Sequence, residues 1–404
     1  MLRKGVDRWE YCARACALFF CMSTDLIYLD NNATTQVDPA VVEEMLPFLR
    51  EHYGNPSSGY RMGKQVADAL EQARVRVAGL IGCEPSEVLF TSCGTESTNA
   101  AIYSALQMDR DRQHIVTTRV EHSATLKTCE LLAKRGHSVT WLGVNGAGQI
   151  DLGELERAIS DETALVSVMW ANNETGVTFP IEEIAKIVRE KGAVFHTDAV
   201  QTIGKLPLNL RELPVNFLSL SGHKLHAPKG VGVLYVNRRT KYFPFVTGGG
   251  QESGKRAGTQ NVASIVALGK ACELAAQHIG AESTAVRALR DALEAGLLAR
   301  IPGARVNGDA ANRLPNTTSL TFPGVESEAM LLLLDAQGIC CSAGSACTTG
   351  QHEPSHVLRA MGFDDTRARC SLRFSLGRFN TRAEVARALE IIPAVAEKVR
   401  RVSA

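Results

Sequence analysis

The sequence carries almost no net charge: 44 Lys and Arg against 43 Asp and Glu leave +1 with histidine neutral. Nucleic acid and acidic membrane surfaces are therefore poor candidate partners. Long apolar runs are lacking too. The longest near the start, Ala15 to Met22, is far short of the roughly 20 residues that cross a bilayer, so no transmembrane helix is expected. Arg3, Lys4 and Arg8 before that stretch give a loose outline of an export signal, but no small-residue cleavage site follows. Residues 1–23 read instead as a disordered extension, or as the product of a start codon upstream of Met22. Eleven cysteines, an odd number at irregular spacing, do not make the dense framework of a small secreted domain, and a reducing cytoplasm fits better. Cys12, Cys16 and Cys21 have no second Cys or His cluster to close a tetrahedral set, so no metal site is expected. Internal repeats, low-complexity segments and long linkers are also missing, which favours lobes packed against each other.

With 404 residues, the chain can bury two cores. From Glu87 onward, short β-branched runs alternate with amphipathic segments, the rhythm of a mostly parallel sheet covered by helices. Strands are expected at Val88 to Thr91, Ile115 to Thr118, Ala164 to Met169, Val194 to Asp198, Phe217 to Ser221 and Val231 to Val236. Ile181, Ile184, Ala185 and Val188 repeat with helical spacing just after Pro180. Beyond Gly248 to Gly250 the pattern turns to longer helices, Val262 to Ile279 and Thr284 to Ala299, then short strands and a terminal helix. The expectation is an α/β protein with a large sheet-bearing lobe and a smaller one.

Several segments carry chemistry. Lys224, in Ser219-Leu-Ser-Gly-His-Lys224, follows a strand end beside Ser221 and His223, where partial desolvation makes a neutral amine available; a surface lysine after a turn is the plain alternative. Asp198, in His196-Thr-Asp198-Ala-Val-Gln201, falls at a carboxyl strand end, where open α/β sheets bind ligands, though it also suits a helix N-cap. Phe90-Thr-Ser-Cys-Gly94-Thr95 leads from a strand into a helix, whose free N–H groups suit an anion. His122 follows the next strand and could stack on a flat ring or serve as a polar rim residue. Cys347 lies in a loop of small residues, Cys340 to Gly350, ahead of a helix expected to start at Pro354; such a thiol is free to attack, while Cys340 and Cys341 read as packing residues. Arg373, alone among apolar neighbours in Ser371-Leu-Arg-Phe-Ser-Leu, suits capture of a carboxylate or an internal salt bridge.

Taken in order, these segments resemble the cysteine desulfurases of pyridoxal-phosphate fold type I. The match includes Tyr28-Leu-Asp-Asn-Asn-Ala-Thr-Thr35, Gly54-Asn-Pro-Ser-Ser58, Glu121-His122, Asn172-Asn-Glu-Thr-Gly176, Arg256-Ala-Gly-Thr259 and Glu353-Pro-Ser-His356. Met169 to Gly176 and Leu225 to Leu234 make the chain most similar to the nitrogen-fixation type. Tyr60 and Met62, where family members often carry His and Phe, and the pair Cys340 and Cys341 depart from the pattern. The resemblance implies a large domain over residues 37–274 and a small α+β domain from 24–36 with 275–404. It implies pyridoxal 5'-phosphate joined to Lys224, with Asp198 at the ring nitrogen, Gln201 at the ring hydroxyl and His122 over the ring. Gly94, Thr95, Ser221 and His223 would take the phosphate, with Thr259 arriving from the other subunit of a homodimer. Asn173, Asn32 and Arg373 would meet the substrate L-cysteine, with Asn172 as an alternative to Asn173. Cys347 would receive the sulfur as a persulfide, in contact with a nascent iron–sulfur cluster, and pass it to a scaffold protein. The pathway implied is nitrogenase maturation in the cytoplasm; the alternatives are housekeeping cluster assembly or another aminotransferase or lyase reaction on this fold.

Overall fold

The computed structural model describes residues 26–343 and 354–403; Cys347 and the expected N-terminal extension lie outside the described residues. The first strand, β1 (Ile27–Tyr28), is followed by β2 (Val88–Thr91), β3 (His114–Thr118), β4 (Ser138–Leu142), β5 (Thr163–Ser167), β6 (Val194–Asp198), β7 (Phe217–Ser221) and β8 (Gly232–Val236). The last third supplies β9 (Arg305–Val306), β10 (Thr317–Thr321), β11 (Ile339–Cys340) and β12 (Ser371–Ser375). Strands β2 to β8 form one sheet in the order β2-β8-β7-β6-β5-β3-β4, parallel except where β8 runs against both its neighbours. Every residue of β5, β7 and β8 is buried, as expected of strands covered on both faces. The Ile181–Glu190 helix shows why the cover holds: Ile181, Ile184, Ala185 and Val188 are buried, while Glu182 and Glu183 lie exposed in the first turn. The resulting core runs from Val41 to Ala368 and includes Phe195, Leu218 and Leu220.

A second core is built around a three-stranded antiparallel sheet, β12-β10-β9, with β1 and β11 paired beside it. Phe322, Phe374, Leu293 and Leu297 are fully buried there, each contributing about 2–3 kcal/mol of apolar burial. The α/β architecture with a mostly parallel mixed sheet matches the expected fold class. Details differ at several ends. β5 stops at Ser167 instead of Met169, and the helix expected at Pro354 begins at His356, capped by the Ser355 hydroxyl, which accepts from the Leu358 N–H. The expected break between residues 279 and 284 is a π-helical turn, Glu282–Val286, that joins the Val262–Ala281 and Arg287–Arg300 helices. There the Ser283 and Thr284 hydroxyls donate to the Gly280 carbonyl, holding the turn widened.

Candidate active site

Parallel strands present their carboxyl ends to one side of the sheet, and the chemistry gathers there. A cavity of about 290 Å³ opens over the ends of β6 and β7 and is closed from above by Asn32, Ala33 and Arg373. Asp198 ends β6, buried, with Oδ1 accepting the Val200 N–H at 2.9 Å. No α-helix follows it, so the carboxylate closes a local turn and caps no helix. Burial pushes its carboxyl above the usual range, while His122, the Val200 N–H and Lys224 pull the other way. A carboxylate this deep requires a cation, and a protonated ring nitrogen would supply one.

Lys224 stands in a single 3-10 turn after β7, and its ammonium donates to the carbonyls of Asn32 and Ala33, the latter at 2.6 Å. His122 caps the Ser123–Lys134 helix, with Nδ1 accepting from the Ala124 N–H at 3.1 Å; its ring proton is therefore on Nε2. His223 has Nδ1 3.2 Å from the Thr34 hydroxyl, and burial, reinforced by Lys224, pushes its pKa down to about 4. It is a neutral donor at physiological pH. Gly94 begins the Gly94–Met108 helix on the cavity floor, where a Cβ would come within 2.9 Å of Val200 Cγ2. Gln201 donates to the Asn32 carbonyl at 2.9 Å, and Ser221 completes this wall.

Arg373 makes the internal salt bridge and also lines the cavity. Its guanidinium donates to Asp30 at 2.6 Å and to the Asn173 carbonyl at 2.8 Å, yet it lines the cavity and its buried Nε has no hydrogen-bond partner among the described residues. Asn173 also lines the cavity. Asn172 does not: its Oδ1 accepts from the N–H groups of Glu174 and Thr175, and its amide donates to Val120, so it organises the loop. Thr259 is exposed and outside the lining of this cavity. The cavity thus brings together Asn32, Gly94, Thr95, His122, Asn173 and Asp198 with Gln201, Ser221, His223, Lys224 and Arg373.

Cys347 lies outside the described residues, but both flanks of its segment are anchored beside the cavity. Ser342 exchanges backbone hydrogen bonds with Arg373 at 3.2 and 2.7 Å. On the other side, the Ser355 hydroxyl donates to Glu174, and His356 Nε2 is 3.0 Å from the Glu121 carbonyl. Cys340 and Cys341 are half-buried; Cys341 packs against the second core, and burial followed by the nearby Asp30 pushes its thiol far up, which makes it a poor nucleophile.

Met169, Ala171 and Val200 form an apolar wall of the cavity, with Cys93 at the helix cap, roles not assigned to them from sequence. Nor did it single out Glu121 as an acid. This side chain is fully buried, Oε1 accepting from Thr118 and the Met169 N–H, and burial raises its pKa to about 8.

Comparison with known proteins agrees with this geometry. Residues 27–388 match the family model described as aminotransferase class-V. A protein of Trichormus azollae named cysteine desulfurase is 54% identical over 378 residues, covering 94% of each chain. The cysteine desulfurase NifS of Azotobacter vinelandii is 53% identical over 378 residues, 93% of this chain and 94% of its own. A solved structure titled NifS-like protein superposes with a TM-score of 0.87 at 40% identity, covering 92% of this chain and all of the other. Fold, cavity and likeness lead to one statement: the chain belongs to the class-V aminotransferase family, whose members depend on pyridoxal phosphate.

Proposed function

We propose that this chain is a cysteine desulfurase, converting L-cysteine to L-alanine and carrying the sulfur away on Cys347. The observation that carries the proposal is the convergence of Lys224, Asp198, His122 and Arg373 on one cavity, in a chain 53–54% identical to proteins named for that activity.

The residues present fit the cofactor. A buried carboxylate, an amine lining the same cavity and a helix N-terminus that a Cβ would fill match a flat, cationic, phosphorylated ring. Lys224 would hold it, Asp198 its ring nitrogen, Gln201 its hydroxyl, and Gly94, Thr95, Ser221 and His223 its phosphate. Once bound, pyridoxal phosphate supplies an electron sink for bonds at the amino acid's carbons. Arg373 and Asn173, with Asn32, would orient the substrate carboxylate. Released from attachment, Lys224 moves a proton at Nζ, and His122 moves one at Nε2. The Cys347 thiolate then attacks the substrate sulfur: an S–S bond forms as the C–S bond breaks, and the carbon skeleton takes up a proton and leaves as alanine.

The exposed Thr259, outside the lining of this cavity, supports a homodimer in which it serves the partner's phosphate. Likeness to the cysteine desulfurase NifS supports an iron–sulfur scaffold as acceptor and nitrogenase maturation in the cytoplasm as the setting. No described helix is long and apolar enough to cross a membrane. The proposed domains are residues 37–274, and 24–36 with 275–404; the second core supports the division, while Val357, Leu358, Met361 and Ala368 of the small domain pack into the first core. The decisive experiment is Cys347→Ser: the yellow cofactor band remains and alanine formation from cysteine is lost. Wild-type alanine output from that variant would mean the wrong thiol was chosen, and Lys224→Ala that still holds the same band would remove the lysine from its role.

A further inference from the structure

Directly beneath the cavity floor runs a chain of polar side chains that the reaction does not use. His196 is fully buried, with Nδ1 2.8 Å from the Ser167 hydroxyl and Nε2 2.9 Å from the Ser219 hydroxyl. Thr98 donates to Ser219 at 3.2 Å. All four residues are inaccessible to solvent, so the hydrogen bonds have no competing water and are costly to lose. Thr98 donates to Ser219, and the neutral imidazole donates from one ring nitrogen and accepts at the other, so both of its contacts are hydrogen bonds in either tautomer. Burial drops the imidazole pKa to about 3, so it stays neutral.

What makes the chain informative is its register. Side chains two apart on a strand share a face, and residues three or four apart on a helix are stacked. His196 is two residues before Asp198, Ser219 two before Ser221 and Ser167 two before Met169, and Thr98 is one turn after Gly94 and Thr95. His196, Ser219 and Thr98 thus each sit one layer below a cavity-lining residue of their own element, and Ser167 is the last residue of β5, two before the lining residue Met169. The four elements that meet the cofactor are tied to one another through a single imidazole, across the neighbouring strands β5, β6 and β7 and the helix above them. We infer that His196 is a positioning residue for the cofactor: it sets the spacing between the strand that presents Asp198 and the helix that presents its N-terminus to the phosphate.

The protein holds its own control. At the opposite, amino-terminal end of the same sheet, His114 makes a matching bridge, Nδ1 to Thr163 at 2.9 Å and Nε2 to Thr140 at 2.8 Å, remote in its strand from the cavity. Both imidazoles join neighbouring strands, so a purely structural role predicts equal consequences.

The test compares His196→Leu with His114→Leu in the full chain, measuring thermal unfolding, the dissociation constant for pyridoxal phosphate and the visible circular dichroism of the bound cofactor. Both variants should lose stability. Only His196→Leu should bind the cofactor about tenfold or more weakly, the factor expected when one buried hydrogen bond is forfeited, and only it should change the visible dichroism. If His196→Leu fails to fold, Ser219→Ala and Thr98→Val interrupt the same chain more gently and are judged by the same readouts. Wild-type affinity and dichroism in the folded variant, or equal losses in His114→Leu, would overturn the inference. It rests on the cofactor assignment above, and the two fail separately: wild-type protein that does not bind pyridoxal phosphate defeats that assignment, whereas wild type that binds it alongside an indistinguishable His196 variant defeats only this one.

Discussion

Replacing Gly232 by alanine should disturb the cofactor through backbone alone. Gly232 opens β8, opposite Thr91 on one side and Ser221 on the other, and its φ is outside the left-handed region, so alanine meets no conformational penalty there. The obstacle is space. An added Cβ would sit 2.7 Å from the Cys93 carbonyl carbon, 2.9 Å from Cys93 Cα and 2.9 Å from the Leu220 oxygen, against ordinary contact beginning near 3.4 Å. These neighbours are main-chain atoms that cannot swing aside, and overpacking of this kind costs about 1–3 kcal/mol. Relief comes most easily by moving Cys93 outward, and Cys93 is the cap of the helix that floors the cavity. A cofactor affinity about tenfold lower corresponds to only 1.4 kcal/mol of that cost. Chemical denaturation and titration with pyridoxal phosphate measure the two effects. Gly280→Ala is the control: nothing lies within 4 Å of its added Cβ, and at this exposed helical position it should stabilise by about 0.5–1 kcal/mol. A Gly232→Ala protein that unfolds and holds cofactor like the wild type would refute the steric argument.

Glu121→Gln keeps the acceptor for Thr118 and Met169 and removes the titration. Because the folded pKa is raised from 4.5 to about 8, the wild type loses stability as pH rises through that window. The variant, compared with wild type by denaturation at several pH values, should gain relative stability from about pH 4.5 to 8 and none beyond; a constant difference would mean Glu121 is ionised throughout. Arg373→Lys cannot span Asp30 and the Asn173 carbonyl together, so KM for cysteine should rise about tenfold while the visible band stays, as steady-state kinetics and absorbance will report. Ser355→Ala removes the cap on Leu358 and the bond to Glu174, costing about 1–2 kcal/mol in denaturant unfolding, most of it restored by threonine.

The large sheet was readable because its strands are continuous β-branched runs bounded by turns, and the Ile181–Glu190 helix because its buried positions recur every three to four residues. β4, an edge strand of Ser-Val-Thr-Trp-Leu with only Leu142 fully buried, carries no such mark and was not expected. The pieces β1, β9 and β11 are two residues long and exist only by pairing with distant chain, Ile27 with Ile339 among them. In the site, motifs at strand ends could be read because position along a parallel strand fixes which side it faces. The partner of Arg373 could not, since Asp30 is 343 residues away. The Thr98, Ser219, His196 and Ser167 chain was hidden for a related reason: buried polar side chains within apolar strands look like interruptions until their partners are known.

The short stretch Asp30 to Thr35 behaves as a seam. Asp30 takes the Arg373 guanidinium, Asn32 bonds Thr317 and accepts from Asn316, and the carbonyls of Asn32 and Ala33 receive Lys224. Thr34 and Thr35 meet His223. Stitching made early in synthesis therefore waits for cloth woven last: these residues find no lasting home until β10 and β12 have emerged. A nascent chain halted before residue 371 would have its main sheet but no lid of carbonyls over the lysine, so capture of the cofactor should be among the final events of maturation rather than the first.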